Sequence, residues 1–595
     1  MEGPINSRRS TVYSTKGIVS STQPLANAAG IKILSLGGNC VDASVAVSAC
    51  LCVLEPSSTG IGGDCFSLLY KNDEKKVLGL NGSGRSASAL SLDWLKENYP
   101  DHILPTLRFS RDSVFKVQVP GAIAAWCDLI DTWGSGKVTL EDILAPAIEL
   151  ADNGFVVSEI SASLWKDAEK KLKRLNDRDQ LGIFLPNGKA PVKGQFMQNK
   201  ALAETLRIIA KYGKKGFYEG EIAKSIVSEL SKRGSLISEN DLASHASTFV
   251  EPISYSFLGC KLWEIPPNGS GIVALMTLGL LNELIKAGVI DFETIKHNSA
   301  EYLHVLAECL KLSFKDSDAY VNDFEYFIKN HDLDQNATLK SLLDESYLSE
   351  RIGLIKKDRI INNRHIKHGI PNSMFKSDTV YLTVSDEEGN ASSFINSLYE
   401  NFGSGIVVPD RGFVLQNRGG NFNLNPQSKN CLAGNKRSYH TIIPGMITIG
   451  DQHRAGLEDL YASFGVMGGF NQPQAHVQIY LNMLWFDMDP QEALDAPRIC
   501  LFPHPDLETT DTGLGSDGPA SRDVTCIGLE DGISEATAAE LTRLGHDVRF
   551  FRNNGRQLFG RGQIICKESG WKTGGHLVYS GGSDLRGDGA SVPLI

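Results

Sequence analysis

A charged stretch runs directly into a strictly alternating one at residue 379, and that junction constrains the fold of this chain more than any other feature. Between residues 345 and 378, Lys356, Lys357, Asp358, Arg359, Asn362, Asn363, Arg364, His365, Lys367 and His368 crowd a segment with few large apolar side chains. Such a composition is expected of an exposed, flexible linker. Thr379-Val-Tyr-Leu-Thr-Val-Ser385 then alternates, Asp386-Glu-Glu-Gly-Asn390 supplies turn residues, and residues 391–398 resume an extended pattern. The pattern predicts a β-hairpin that opens immediately after a linker.

A threonine at such a junction has two readings. The plain one is β-propensity at the start of a strand. The other is chemical: a threonine hydroxyl is a weak nucleophile unless a base stands beside it, and a threonine at a free N-terminus carries that base as its own α-amine, of ordinary pKa about 7.7–8.0. An internal threonine acquires the amine only if the chain is cut before it. The Asp378–Thr379 bond, between a linker and a strand, is where such a cut would fall.

Before this junction the chain alternates helical patterns with Gly- and Pro-marked turns. Residues 41–54 are apolar all round, as expected of a helix buried on every face, and residues 140–151 form an amphipathic helix running into Asn153-Gly154. Leu303, Leu306, Leu310 and Phe314 recur at helical spacing over residues 300–314. After it, strands and turns dominate around residues 406–416 and 439–449, residues 533–544 read as a helix closed by Gly545, and residues 504–522 form a polar insertion expected on the surface. No internal repeat is present.

The 59 basic against 70 acidic side chains give a formal net charge of −11. Without a basic block the chain lacks the cationic footprint that nucleic-acid binding requires. The eleven cysteines are odd in number, and Cys40, Cys50, Cys52 and Cys65 lie among small apolar residues, so they read as reduced core thiols rather than a disulfide framework. No CxxC pair seeds a zinc site. Gly60-Ile-Gly-Gly63 lacks the following Lys-Ser/Thr of a phosphate loop, and no GxSxG elbow exists. The first residues lack the apolar core of a secretory signal, and the most apolar helix candidate, residues 271–285, contains Asn282 and Glu283. The expectation is a cytoplasmic protein with no membrane segment, no metal and no cofactor. Length alone suggests about four domains.

Motifs spread along the chain narrow this further. Gly37-Gly-Asn-Cys-Val-Asp-Ala43, Gly60-Ile-Gly-Gly63, Val119-Pro-Gly121, Pro146-Ala-Ile-Glu-Leu-Ala151, Phe217-Tyr-Glu-Gly220, Ile265-Pro-Pro-Asn-Gly-Ser-Gly271, residues 379–390, Phe402-Gly-Ser-Gly405, Asn435-Lys-Arg437, Met467-Gly-Gly469 and Ala496-Pro-Arg498 occur in this order. In them the chain resembles the gamma-glutamyltranspeptidase family of N-terminal-nucleophile hydrolases. The resemblance implies an α+β fold, an αββα sandwich of two stacked antiparallel sheets between helical layers. It implies a precursor that cuts itself before Thr379, giving a large subunit, residues 1–378, and a small one, residues 379–595, which together form one fold. The cleaved fragments would stay paired as a heterodimer, with a dimer of heterodimers as a further possibility. Position by position, Thr379 falls on the nucleophile, Ser397 on a second hydroxyl that bonds it, and Gly468 and Gly469 on the oxyanion-hole pair. Arg85 falls on the arginine that clamps the substrate carboxylate, and otherwise reads as an ion-paired surface arginine.

Other positions depart from the family pattern. Tyr399 replaces an asparagine, Arg418 a glutamine or glutamate, and Asn421 the aspartate that receives the substrate α-amino group, while His440-Thr441 replaces a Ser-Ser pair. His440 has two readings, a substrate contact or a satisfied structural histidine. Loss of an anion at 421 and gain of a cation at 418, expected near Arg85, favour an acidic acyl group over a free ammonium. These variants are similar to the branch that holds oxamate amidohydrolases, intracellular glutathione hydrolase-like proteins and acid-recognising cephalosporin acylases. The expected partner is a small acidic amide. The expected function is a self-processing N-terminal-threonine amidohydrolase on a γ-glutamyl-type or other acidic acyl amide, with two alternatives. One is an oxamate- or glutaryl-specific hydrolase without transpeptidation; the other is a non-catalytic, unprocessed relative.

Overall fold

The predicted hairpin lies at the centre of one of two large sheets. In the computed structural model, which describes residues 7, 9–291, 293–331, 335–361, 377–450, 457–503 and 525–595, seven antiparallel strands make the first sheet. Their spatial order is β14 (Ala590–Pro593), β2 (Ile18–Ser21), β8 (Ser377–Ser385), β9 (Ala391–Glu400), β3 (Asp64–Lys71), β4 (Lys76–Gly82) and β5 (Thr248–Val250). The second sheet, also antiparallel, runs β1 (Val12–Ser14), β13 (Val578–Ser583), β12 (Arg561–Glu568), β11 (Glu458–Met467), β10 (Gly445–Gly450), β7 (Cys260–Glu264) and β6 (Ile253–Phe257).

The alternation of β8 separates two buried faces rather than core from solvent. Val380, Leu382 and Val384 pack into the core shared with the helices α1 (Pro24–Ser35), α2 (Cys40–Leu54), α3 (Ala122–Trp133) and α4 (Leu140–Asn153). Tyr381 faces the other way, into a cluster between the sheets with Phe66, Ile395, Met446 and Leu460. Thr383 Oγ1 meets Ser463 Oγ of β11 at 2.7 Å across the same gap. The outer face of the second sheet is covered by α5 (Ile272–Lys286), α6 (Ala300–Tyr320), α7 (Glu345–Ile352) and α8 (Asn471–Leu484), which share a core with Ile447, Phe464 and Ile564. The molecule is therefore an αββα sandwich.

Local chemistry accounts for the helix ends. Every residue of α2 is buried, and Asn39 caps it by accepting from Val41 N and Asp42 N while Asp42 closes the reciprocal bond to Asn39 N. Helix α4 begins on a Thr139–Asp142 capping box and ends at Gly154, whose φ of +104° only glycine adopts without strain.

The reading of residues 345–378 as one exposed linker is corrected over its first part. Residues 345–352 form α7, in which Leu348 is fully buried with its Cδ1 2.6 Å from where Gly279 would carry a Cβ. Tyr347 and Arg351 both bond Asp316 of α6, at 2.9 and 3.0 Å. The few apolar side chains of this polar segment are its anchors: Ile355 and Ile361 are also buried. Residues 362–376 and the insertion at 504–522 lie outside the described residues. Around residues 406–416 the strands are only Val407–Val408 and Phe413–Val414. All eleven cysteines are free and ten are buried, and among the described residues no helix is long and apolar enough to cross a membrane.

Candidate active site

Strand β8 runs across the Asp378–Thr379 junction, and the pairing with β9 slips there. Asp378 faces Tyr399 and Val380 faces Asn396, so Thr379 alone opposes Ser397 and Leu398. A bulge of this kind re-aims a side chain, and it leaves Thr379 Oγ1 3.1 Å from Ser397 Oγ, both residues fully buried. The bulge ends at Tyr399, whose φ of +81° is a left-handed backbone in an aromatic residue, a conformation costing about 1–3 kcal/mol. Three contacts hold it: its N–H donates to Ser397 Oγ (2.9 Å), its hydroxyl donates to Asn421 Oδ1 (2.6 Å), and the Arg418 guanidinium lies 4.5 Å from its ring centre.

Arg418 is fully buried and reaches both hydroxyls of the site, donating from Nη2 to Ser397 Oγ (2.9 Å) and from Nη1 to Thr441 Oγ1 (2.6 Å). Its Nε–H is buried without an acceptor among the described residues, and no carboxylate there forms an ion pair with it. Burial lowers its pKa to about 10, an effect partly offset by the Asp64 charge, so it stays cationic at neutral pH. Two N–H donors point at Ser397 Oγ, and in its contact with Thr379 Oγ1 either hydroxyl can supply the hydrogen. Asn421 is committed internally: it accepts from Tyr399 and donates to Tyr439 O at 3.0 Å.

His440 sits beside this cluster with both ring nitrogens engaged. Nε2 bonds Asp64 Oδ2 at 3.0 Å, and Nδ1 lies 3.4 Å from Ile442 N. Burial, then the Arg418 charge, pushes its pKa down to about 3, so the imidazole is neutral, with its Nε2–H donating to Asp64. Asp64 is a site residue that the sequence reading did not single out. Its other oxygen accepts from Gly84 N at 2.9 Å, where a Cβ on Gly84 would fall 1.6 Å from Val119 O. The available signal was its place at the end of the buried Gly60–Gly63 run, at the start of β3.

Arg85 is not part of the hydrogen-bonded cluster around Thr379. It pairs with Glu325 (2.9 Å), and the guanidinium that converges on the same carboxylate oxygen is Arg437 (2.8 Å), not Arg418. Arg437 is also held by Ser83 O and Thr248 Oγ1. Arg85 thus shares Glu325 with Arg437; it follows the end of β4, whereas Arg418 opens the loop beneath Tyr399.

Gly468 and Gly469 form the turn between β11 and α8. The cross-sheet contacts fix where that turn points: Thr383 meets Ser463, and Gly465 packs on the Tyr381 ring, where a Cβ would fall 2.5 Å from Cε2. Met467, next to the glycine pair, lies in the same between-sheet cluster as Tyr381. Gly468 has φ +134°, and its carbonyl accepts from Asn471 N (3.1 Å) at the start of α8. The turn therefore sets its amides at a helix N-terminus, where partial positive charge accumulates.

One group among the described residues has ligand atoms close enough for a metal: His304, Glu308 and His546, within 4.8 Å of one another. They are already committed. His304 bonds His546 and Lys356 O, each at 2.7 Å, and Glu308 takes Lys311 (2.9 Å) and Ile361 N (2.6 Å). A lysine on the only carboxylate opposes a cation there.

With this geometry in place, comparison with known proteins is specific. A family model described as gamma-glutamyltranspeptidase matches residues 26–594. The glutathione hydrolase-like YwrD proenzyme of Bacillus subtilis is 35% identical over 590 residues, covering 98% of this chain and 99% of that protein. The oxamate amidohydrolase proenzyme of Klebsiella pneumoniae is 28% identical over 598 residues, 98% and 99% of the two chains. The crystal structure of cephalosporin acylase from Bacillus halodurans superposes with a TM-score of 0.81 at 34% identity, covering 100% of this chain and 98% of that one. The chain belongs to the gamma-glutamyltranspeptidase family and is a hydrolase of the N-terminal-nucleophile class.

Proposed function

We propose that this protein is a self-processing amidohydrolase whose nucleophile is Thr379 and whose substrate is the amide of an acidic acyl group. The observation that carries it is the chain Thr379 Oγ1, Ser397 Oγ, Arg418 at a bulged and strained junction, with spacings of 3.1 and 2.9 Å.

In processing, Thr379 Oγ1 attacks the carbonyl carbon of Asp378. The C–N bond breaks and the hydroxyl proton goes to the departing nitrogen. Water then hydrolyses the ester, leaving a carboxylate on Asp378 and a free α-amine on Thr379. In turnover that amine takes the hydroxyl proton, Oγ1 attacks the substrate acyl carbon, and the proton passes to the leaving amine. The amides of Gly468 and Gly469 face the developing oxyanion. Ser397, hydrogen-bonded to Thr379 Oγ1, holds it in line. Water resolves the acyl-enzyme by the same steps.

The preference for an acidic acyl group rests on Arg418, a buried cation whose acceptors are neutral hydroxyls. A buried charge that Asp64 compensates only in part is costly, and a substrate carboxylate offsets it. Asn421, neutral and already engaged, offers no anion to an α-ammonium. The name of one relative, an oxamate amidohydrolase, agrees with a carboxylate-bearing donor and hydrolysis.

Denaturing electrophoresis tests the first step. Wild type should resolve into fragments 1–378 and 379–595, which co-elute as a heterodimer under native conditions, and Thr379→Ala should stay one band; a wild type that never divides ends the proposal. The processed protein should then hydrolyse a glutaryl anilide faster than its γ-glutamyl counterpart, and an acceptor dipeptide should divert little product. Equal or better use of the γ-glutamyl compound contradicts the acyl preference. Glutathione and oxamate complete the panel.

A further inference from the structure

Beside the loop that carries Arg418 lies a second cavity, of ≈ 210 Å³, whose wall holds Arg111, Lys116, Lys171, Arg174 and Arg233 but a single carboxylate, Asp112. In a chain of net charge −11 this is a concentration of the opposite sign.

The cations are only partly neutralised. Lys116 and Lys171 share one carboxylate, Glu400, at 3.8 and 3.3 Å. Arg174 forks onto Asp112 with two bonds of 2.8 Å, and Arg233 pairs with Glu229 at 3.0 Å. Three carboxylates thus meet the five cations of the wall, and Glu229 also takes the exposed Lys232, so the wall keeps a surplus of at least two positive charges. The surplus is built in rather than solvated: the Lys116 and Lys171 side chains are 4% and 17% exposed. Lys116 Nζ is fixed on Arg111 O at 2.5 Å, and Lys171 Nζ bonds Asn401 O at 3.1 Å and Gly403 O. Burial and the like charge of Lys116 both work against the charged form of Lys171, which an anion in the cavity would relieve. Arg111, exposed, stands at the rim.

We propose that this cavity is a binding site for a small dianion, a phosphate-like oxyanion or a short dicarboxylate, separate from the Thr379 cluster. The surplus of two charges sets the ligand charge and the volume sets its size. Arginine forks suit either anion, and the two lysines act as buried point charges behind them. The proposal does not depend on the reaction assigned to Thr379.

The test is calorimetric titration of the full chain with inorganic phosphate and, separately, with succinate, in a chloride background of constant ionic strength so that exposed charges are equally screened. The expected result is saturable, single-site binding of at least one of the two, weakened about fivefold or more in Lys171→Met and in Arg111→Gln. Arg111→Gln changes only an exposed side chain, so it remains informative if Lys171→Met fails to fold, and circular dichroism checks both. Phosphate alone assigns a compact oxyanion, succinate alone a dicarboxylate. Non-saturable heats with both anions, or wild-type isotherms in Arg111→Gln and in a folded Lys171→Met, overturn the proposal.

Discussion

In the proposed reaction Arg418 links the nucleophile to substrate recognition, holding Ser397 Oγ and Thr441 Oγ1 from the two ends of its fork. Arg418→Lys keeps the charge and loses the fork, so kcat/KM of the processed protein on an acidic acyl amide should fall about 100-fold; a fall of less than about tenfold would detach Arg418 from substrate recognition. Beside it His440 makes a different prediction, in stability rather than turnover. The folded protein keeps His440 neutral down to about pH 3, whereas the unfolded chain protonates it near 6.5. Between those values the unfolded state binds the extra proton, so stability falls as pH is lowered, by up to about 1.4 kcal/mol per pH from this group. His546, pushed down to about 2 by burial, acts in the same direction. His440→Gln places an amide N–H near the Nε2 position facing Asp64 without the titration. Urea unfolding between pH 4.5 and 7.5 should therefore show a shallower pH slope in the variant, and an unchanged slope would contradict this account. Thr379, Ser397 and Arg418 were legible as residues because the motifs around them are local. The Arg85–Glu325 pair was not, since it joins side chains 240 positions apart and no spacing rule relates them.

At the level of elements, the hairpin was legible because β8 carries a strict period of two, turn residues follow it, and β9 resumes an extended pattern. Its consequence was not: the polar face, Thr379, Tyr381 and Thr383, points at the second sheet rather than at water, and a two-residue period alone does not distinguish those environments. Helix α7 shows the converse. Its charges hid a fully buried Leu348 seated against Gly279, and a helix of eight residues offers too few apolar positions for a periodic signal. Leu348→Ala should cost about 2–5 kcal/mol, the range for a buried leucine deletion. The loss should appear in chemical denaturation while kcat on a chromogenic amide stays within about twofold, because α7 contacts α5 and α6 rather than the Thr379 cluster. A mutant with full stability would return this segment to an exposed linker.

The whole molecule bears on what cleavage at residue 379 can and cannot release. In the first sheet β8 and β9, from the C-terminal side of the junction, lie between β2 and β3 from the N-terminal side. In the second, β13 to β10 of the C-terminal part lie between β1 and β7 of the N-terminal part. The ends interlock too: Arg9 donates to Asp584 O at 2.8 Å, and Leu594 N donates to Gly17 O at 2.7 Å. Both large sheets contain strands of both parts, so the length-based expectation of about four domains gives way to one fold with two prospective chains. Separating them would strip central strands of their ladder partners and expose both faces of the middle core, which a single peptide cut does not offset. The cleaved protein should therefore elute from gel filtration as one 1:1 species and unfold in a single transition, and residues 379–595 expressed alone should fail to fold. Dissociation of the fragments under native conditions, or two separate unfolding transitions, would show that the interlock does not hold the halves together.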